Sequence, residues 1–307
     1  MDWLERQVSK AAREAEAGAA LHVALQQTAG FAQWQVLDVL KPGPRRVARI
    51  GLGGDVVIAK LYRDETLAQM AAQELRRAHS DLSGPTYRVP ALLEHAHGLL
   101  VMECAPGQPV RDALAHANSA QTSAILRAVG HWLSAYAAPQ VQVGRFAPGY
   151  WMDIAHGYMN PDMPTDHRRQ AQDVLARMNG LRAGLQDFPV RRGITHGDFA
   201  DHNLFATTDG QIWGVDLERN TQGPLALDIA HYLASRAGRF IARDGSFYGT
   251  PAPEAFALRA SQVIPEEEWA ALVPFCLGLC YVKHLSRAGE PQPRRLMAAR
   301  HWCDQLG

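Results

Sequence analysis

The side chains of this sequence best suited to chemistry lie in two short stretches, Ile194-Thr-His-Gly-Asp-Phe-Ala-Asp-His-Asn203 and Val215-Asp-Leu-Glu218. Between them runs a hairpin signal: Leu204-Phe-Ala, an Asp-Gly turn at Thr208-Asp-Gly210, then Ile212-Trp-Gly-Val215. The carboxylates of Asp198 and Asp216 and the carboxamide of Asn203 are thereby set around one turn and one hairpin. Phosphoryl transfer asks for such a set: a carboxylate beside the attacking hydroxyl, and hard oxygen ligands for Mg2+ on the phosphates of a nucleotide. Oxygen donors suit Mg2+, and thiolates do not.

Such groups need a scaffold, and the hydrophobic pattern predicts one in two parts. Residues 3 to about 28 carry Leu4, Val8, Ala11, Ala12 and Ala15 at helical spacing, interrupted at Gly18, which predicts one or two amphipathic helices. The period then changes. Residues 35–40, 46–51 and 55–62 are short β-branched runs separated by Lys41-Pro-Gly-Pro-Arg45 and Gly51-Leu-Gly-Gly54, the pattern of a three-stranded antiparallel meander. A helix is predicted over 66–79, and short strands after Pro90 end within 98–104. From Pro109 the helical period dominates, clearest over 120–136, 168–185, 225–236 and 265–285, while the Pro/Gly/Met/Asp-rich stretch 148–165 has no readable period. The fold class is therefore α+β. A small antiparallel sheet with N-terminal helices is expected over 1–104 and a mostly helical part over 105–307.

Two phosphate-binding patterns fail. In Gly51-Leu-Gly-Gly54 the third glycine of a dinucleotide fingerprint would fall at Val56, and a strand follows where a helix is needed. No glycine is followed by lysine, which removes the P-loop. His196-x-Asp198 with Asn203 and, thirteen residues later, Asp216 resembles instead the catalytic-loop pattern of the protein-kinase-like superfamily. With glycine between His196 and Asp198 it resembles the aminoglycoside phosphotransferase and choline kinase branch. The resemblance spans residues 35–236, though only short segments match.

The resemblance implies a bilobal protein-kinase-like fold with a nucleotide-binding N-lobe, a helical C-lobe and a cleft between the lobes. It implies ATP, or GTP, with Mg2+, and transfer of the γ-phosphoryl group to a hydroxyl of a small molecule. Asp198 would orient or deprotonate that hydroxyl, His196 would hold the loop in shape, and Asn203 and Asp216 would ligate Mg2+. Glu218 would be a second acid toward metal or substrate. Val57-Ile-Ala-Lys60 resembles the strand whose lysine contacts the α- and β-phosphates. Glu74, seven residues after Leu67 on the face shared with Met70, Ala71 and Ala78, would be its counter-charge. The stretch Leu99-Leu-Val-Met-Glu-Cys-Ala-Pro-Gly107 resembles the inter-lobe hinge, with the backbone near Glu103 and Ala105 placed to bond the adenine. Asp228 would brace the catalytic loop. The loop over the phosphates falls at Lys41-Pro-Gly-Pro-Arg-Arg46 and has one glycine. A catalytically silent nucleotide-binding module is the alternative that this departure motivates.

Blander readings attach to the other candidates. Arg45 and Arg46 read as solvated turn residues, Trp132 and Tyr136 as core, and Asp201 and His202 as surface loop or substrate contacts. Asp153, Asp162 and Asp166 read as loop acids facing water before they read as a wall for a cationic acceptor. Only eleven residues separate Asp216 from Asp228, too few for a eukaryotic-type activation segment, so a protein substrate is disfavoured.

Composition narrows the partners. The 307 residues carry 31 basic and 31 acidic side chains, so the broad basic face expected of a nucleic-acid or anionic-membrane binder is absent. Four cysteines, at 104, 276, 280 and 303, are too sparse for a disulfide framework. No window reaches the 18 or so apolar residues of a membrane span, and the charged N-terminal stretch is unlike a secretory signal. A cytoplasmic enzyme with a small-molecule acceptor, no nucleic acid and no membrane is expected.

Overall fold

The computed structural model describes residues 3–28, 30–43, 45–217, 221–238, 245–286 and 293–306. The chain divides into two compact units. The first comprises Met1–Pro106 with Trp213–Asn220, and the second Gly107–Ile212 with Thr221–Gly307.

In the first unit, helix α1 (Trp3–Gln26) passes through Gly18 unbroken. A helical glycine costs about 1 kcal/mol, and burial of Ala17, Leu21, Ala24 and Leu25 outweighs it. The predicted meander forms β1 (Gln35–Lys41), β2 (Arg46–Leu52) and β3 (Asp55–Leu61), each antiparallel to the next. Helix α2 (Glu65–Asp81) is capped by Asp64, whose carboxylate accepts from Thr66 N at 2.8 Å. Then follow β4 (Tyr87–Arg88), β5 (Leu92–Ala96) and β6 (Leu99–Glu103). The sheet order is β1-β2-β3-β6-β5.

Strand periodicity divides the residues of β3 between two cores. Val57 and Ala59 join Leu21, Leu25, Ile50 and Val101 on the α1 side. Tyr62 joins Ala68, Ala71, Ala72 and Leu100 on the α2 side. Lys60, in step with Tyr62, is thereby turned to the α2 face.

The second unit opens with β7 (Gln108–Pro109), α3 (Val110–His116) and α4 (Ser119–Ala137), whose Asn118 and Gln121 form a capping box. Strand β8 (Gln142–Arg145) leads into α5 (Pro148–Gly157), which occupies part of the unreadable stretch, and then α6 (Thr165–Leu185). Strand β9 (Pro189–Thr195) delivers the His196 loop, and the predicted hairpin follows as β10 (Leu204–Ala206) and β11 (Ile212–Gly214). Strand β12 (Thr221–Pro224) pairs antiparallel with β9, which also pairs with β8.

Helix α7 (Leu225–Arg236) starts directly from β12. Strands β13 (Ser246–Phe247) and β14 (Thr250–Pro251) and helices α8 (Ala252–Arg259), α9 (Glu266–Leu285) and α10 (Pro293–Gln305) complete the described chain. Helix α9 is buried along most of its length and packs against α6 and α7. All four cysteines are free thiols. Among the described residues no helix is long and apolar enough to cross a membrane.

Candidate functional site

The first unit gathers its candidate groups around Asp216. Lys60 comes from the buried face of β3, and its ammonium bonds Asp216 Oδ1 across 156 positions of sequence. Lys41, the last residue of β1, reaches the other oxygen, Oδ2, at 3.1 Å. Burial lowers the pKa of Lys60, reinforced by Arg45 and Lys41 and opposed by Asp216. Burial alone would raise the Asp216 carboxyl. The charges and hydrogen bonds of Lys60 and Lys41 overcome it and hold that carboxyl well below the usual carboxylate range.

Asp216 also sits at φ 67°, the left-handed region that a non-glycine residue enters at a cost of roughly 1–3 kcal/mol. Its backbone is thus held in place by its surroundings. Tyr62, two residues past Lys60, carries its ring 5.1 Å from the Lys60 ammonium. Its hydroxyl is buried with no hydrogen-bond partner among the described residues.

Glu74 lies on the inner face of α2, 2% exposed. Its carboxylate is gripped by Arg77 through Nη2 at 2.6 Å and Nε at 3.1 Å. Thus Asp216 is a direct partner of Lys60, and Arg77 a direct partner of Glu74. At the end of β6, the Glu103 N–H donates to the Ala91 carbonyl at 2.9 Å, and its side chain accepts from Ala91 N. Glu103 and Ala105 are both half-buried, and the Ala105 carbonyl accepts from Cys104 Sγ at 3.9 Å. Glu218 lies outside the described residues.

The second unit holds the loop after β9. His196 is 5% exposed among aromatic rings, with centroids at 6.1 Å from Trp132, 6.4 Å from Tyr136 and 5.8 Å from Phe199. Trp132 and Tyr136 are core residues that wall in this histidine. Gly197 adopts φ 76°, which a side chain would strain, and its N–H donates to Asp228 Oδ1 at 3.0 Å. His196 N donates to Asp228 Oδ2 at 2.7 Å.

Asp228 is fully buried in the first turn of α7. Burial, with the Asp198 charge, pushes its carboxyl up to about 7 against those two N–H bonds. Asp198 itself faces solvent, while Asn203 is buried and donates Nδ2 to Asp198 O at 2.9 Å and to Oδ2 at 3.1 Å. The carboxylate is thus oriented yet reachable, and Asn203 Oδ1 remains as an acceptor.

Asp201 is neither a surface residue nor open to a ligand. It is 2% exposed and accepts from Arg236 Nη1 at 3.0 Å. The same guanidinium makes a bidentate pair with Glu254 of α8, both contacts at 2.7 Å. Burial opposes the Arg236 charge, but Glu254 and Asp201 keep it protonated. His202 is exposed beside Asp201. Arg236 and Lys41 escape a reading of residue types, since an arginine ending a helix and a lysine beside a turn look like solvated residues. Asp153, Asp162 and Asp166 are exposed.

Within the first unit the donor set fits a divalent ion on a polyphosphate: a hard carboxylate at Asp216, the ammonium groups of Lys60 and Lys41 for phosphate, and the buried Tyr62 hydroxyl, which has no hydrogen-bond partner among the described residues. Among the described residues no group of three or more His, Cys, Asp or Glu side chains could hold a metal by itself.

Residues 41–259 match the model of a family described as the phosphotransferase enzyme family. A comparison with curated proteins finds no match. Among solved structures, aminoglycoside phosphotransferase APH(4)-Ia superposes with a TM-score of 0.60 at 15% identity, covering 94% of this chain and 98% of that one. Amicoumacin kinase hAmiN, solved with AMP-PNP, Ca2+ and Ami, gives 0.58 at 18% identity, covering 97% and 95%. Choline kinase LicA from Streptococcus pneumoniae gives 0.54 at 14% identity, covering 89% and 92%. At such identities the likeness is one of fold. The fold is the protein-kinase-like α+β fold, with an antiparallel sheet in the N-terminal part and helices in the C-terminal part.

Proposed function

Because the chain belongs to the phosphotransferase enzyme family, we propose that it transfers the γ-phosphoryl group of ATP, or GTP, to a hydroxyl of a small molecule with Mg2+. The observation that carries this reading is the bond between Lys60 and Asp216, which joins a strand lysine to an aspartate 156 positions later on the same buried surface. A structural ion pair needs neither Lys41 on the second oxygen nor a left-handed backbone at the acid.

In this reading Lys60 holds the phosphates, and the Glu103 carbonyl and Ala105 backbone meet the base. Asp216 and Asn203 Oδ1 hold Mg2+, which when bound neutralises charge on the phosphates. Asp198 accepts or orients the proton of the acceptor hydroxyl, and the Asn203 amide keeps its carboxylate turned for that task. His196 and Asp228 act on the loop and not on the substrate: the imidazole is packed in rings, and the carboxylate fastens two consecutive N–H groups. Catalysis then comes from alignment and charge neutralisation, with no covalent enzyme intermediate.

The test is a phosphorylation screen over sugars, amino alcohols and aminoglycosides with Asp198→Asn as the blank. Turnover of an acceptor is expected to fall by at least about 10²-fold in that variant, with nucleotide affinity kept. An unchanged rate removes Asp198 from its role. Nucleotide binding with no turnover across the panel favours the silent module.

A further inference from the structure

The turn after β1 reads Lys41-Pro-Gly-Pro-Arg45. A glycine-rich loop offers phosphates a row of backbone N–H groups. Here two positions are prolines, which have no N–H to give. Side-chain cations stand at this turn instead. Lys41 Nζ lies 3.1 Å from Asp216 Oδ2, although its side chain is 56% exposed. Arg45 is close enough to Lys60 to repel its charge. Arg46 pairs with Glu16 of α1 at 3.0 Å.

An exposed lysine gains little from a surface pair and loses side-chain freedom. Its placement on a half-buried carboxylate already held by another lysine therefore asks for a second reason. The buried Tyr62 hydroxyl, which has no hydrogen-bond partner among the described residues and belongs to a ring 5.1 Å from the Lys60 ammonium, is an independent sign that this corner is completed by a ligand with oxygen acceptors.

We propose that Lys41, with Arg45 beside it, is the phosphate grip of this chain, and that the Lys41–Asp216 pair is a placeholder for the state without nucleotide. The ammonium sits on Asp216 Oδ2 where a divalent cation would bind, and passes to a phosphate oxygen when the metal–nucleotide complex arrives. Each group exchanges one opposite charge for another, so neither is left bare. This deepens the phosphotransferase reading and rests on it.

The experiment is calorimetry on the full chain, titrating AMP, ADP and ATP in excess Mg2+, or the guanine series if the wild-type chain prefers it, together with Mn2+ alone. Lys41→Met should lower ATP affinity about tenfold or more while leaving AMP within about twofold. Lys41→Arg should stay within about threefold of wild type for ATP. Mn2+ without nucleotide should bind Lys41→Met more tightly than wild type, the opposite sign to ATP. Arg45→Met, at a second exposed position, should show the same ordering of nucleotides and guards against a folding defect in one variant.

An equal loss for AMP, ADP and ATP would assign Lys41 to loop shape and overturn the grip, as would an unchanged ATP affinity. If the wild-type chain takes up no nucleotide, the phosphotransferase reading falls together with the grip. If wild type binds ATP and Lys41→Met binds it equally, only the grip falls.

Discussion

At Asp216 and Asp228 two enclosed carboxylates are treated in opposite ways. Asp216 is held low by two lysines, so its contribution to stability is present above the ordinary carboxylate pKa and is withdrawn as pH falls through and below that range. Asp228 is pushed up to about 7. Between about pH 4 and 7 the folded chain retains a proton there that the unfolded chain has lost, so stability falls as pH rises across that window and then levels. Chemical denaturation at stepped pH should therefore show a decline from pH 4 to 7 in the wild-type chain that is flattened in Asp228→Asn. An identical slope in both would mean that Asp228 is ionised throughout. Asp216→Ala should weaken Mg2+-dependent nucleotide binding. It should also cost roughly 3–5 kcal/mol of stability, because the buried Lys60 loses a directly bonded carboxylate. The resemblance marked Lys60 and Asp216 as candidates, with Glu74 as the expected counter-charge of the lysine. Nothing in residue type told that the two would touch, or that Lys41 would join them, because that depends on how β1 ends.

Helix α7 is the element that sets the loop after β9. Its first turn gives Asp228 to the N–H groups of His196 and Gly197, and its last turn gives Arg236 to Asp201. The two anchor positions are eight residues apart, about 12 Å along the axis. The loop is thus fastened at two points to one rigid rod. Arg236→Met should cost roughly 3–5 kcal/mol in urea denaturation, since it takes the guanidinium from two buried carboxylates. Arg236→Lys should recover little of this, because an ammonium cannot reproduce the bidentate pair with Glu254. A near-neutral Arg236→Met would count against the double anchor. The helical period of α7 was readable, with the bounds found. Strands β8, β9 and β12 were not, because β9 is rich in arginine and opens on proline, and β12 is four residues long. Short strands of mixed polarity are specified by their partners more than by their own pattern.

For the molecule as a whole, the segment Trp213–Asn220, which starts within β11, belongs with the first unit although the chain reaches it only after the His196 loop and β10 of the second. One cut after residue 104, as the change of hydrophobic period suggests, parts Asp216 from the unit that holds Lys60. The sequence does not announce this, because a detour through another unit leaves no mark in local periodicity. A fragment ending at residue 106 should therefore lack the Asp216 carboxylate that bonds Lys60. It should melt less cooperatively than the same unit within the full chain. Equal cooperativity in both contexts would argue that Asp216 contributes nothing to the fold of the first unit. In the full chain, Mg2+ with nucleotide at 100 times its dissociation constant should add about 2.7 kcal/mol.

The ring cluster around His196 also has a use in the laboratory. Trp132 is fully enclosed, with Phe199 stacked at 5.9 Å and the imidazole at 6.1 Å. An indole so close to the loop is a built-in optical reporter. With the remaining tryptophans replaced by phenylalanine, its emission should shift whenever the segment from His196 to Asn203 rearranges, giving a label-free signal of that movement.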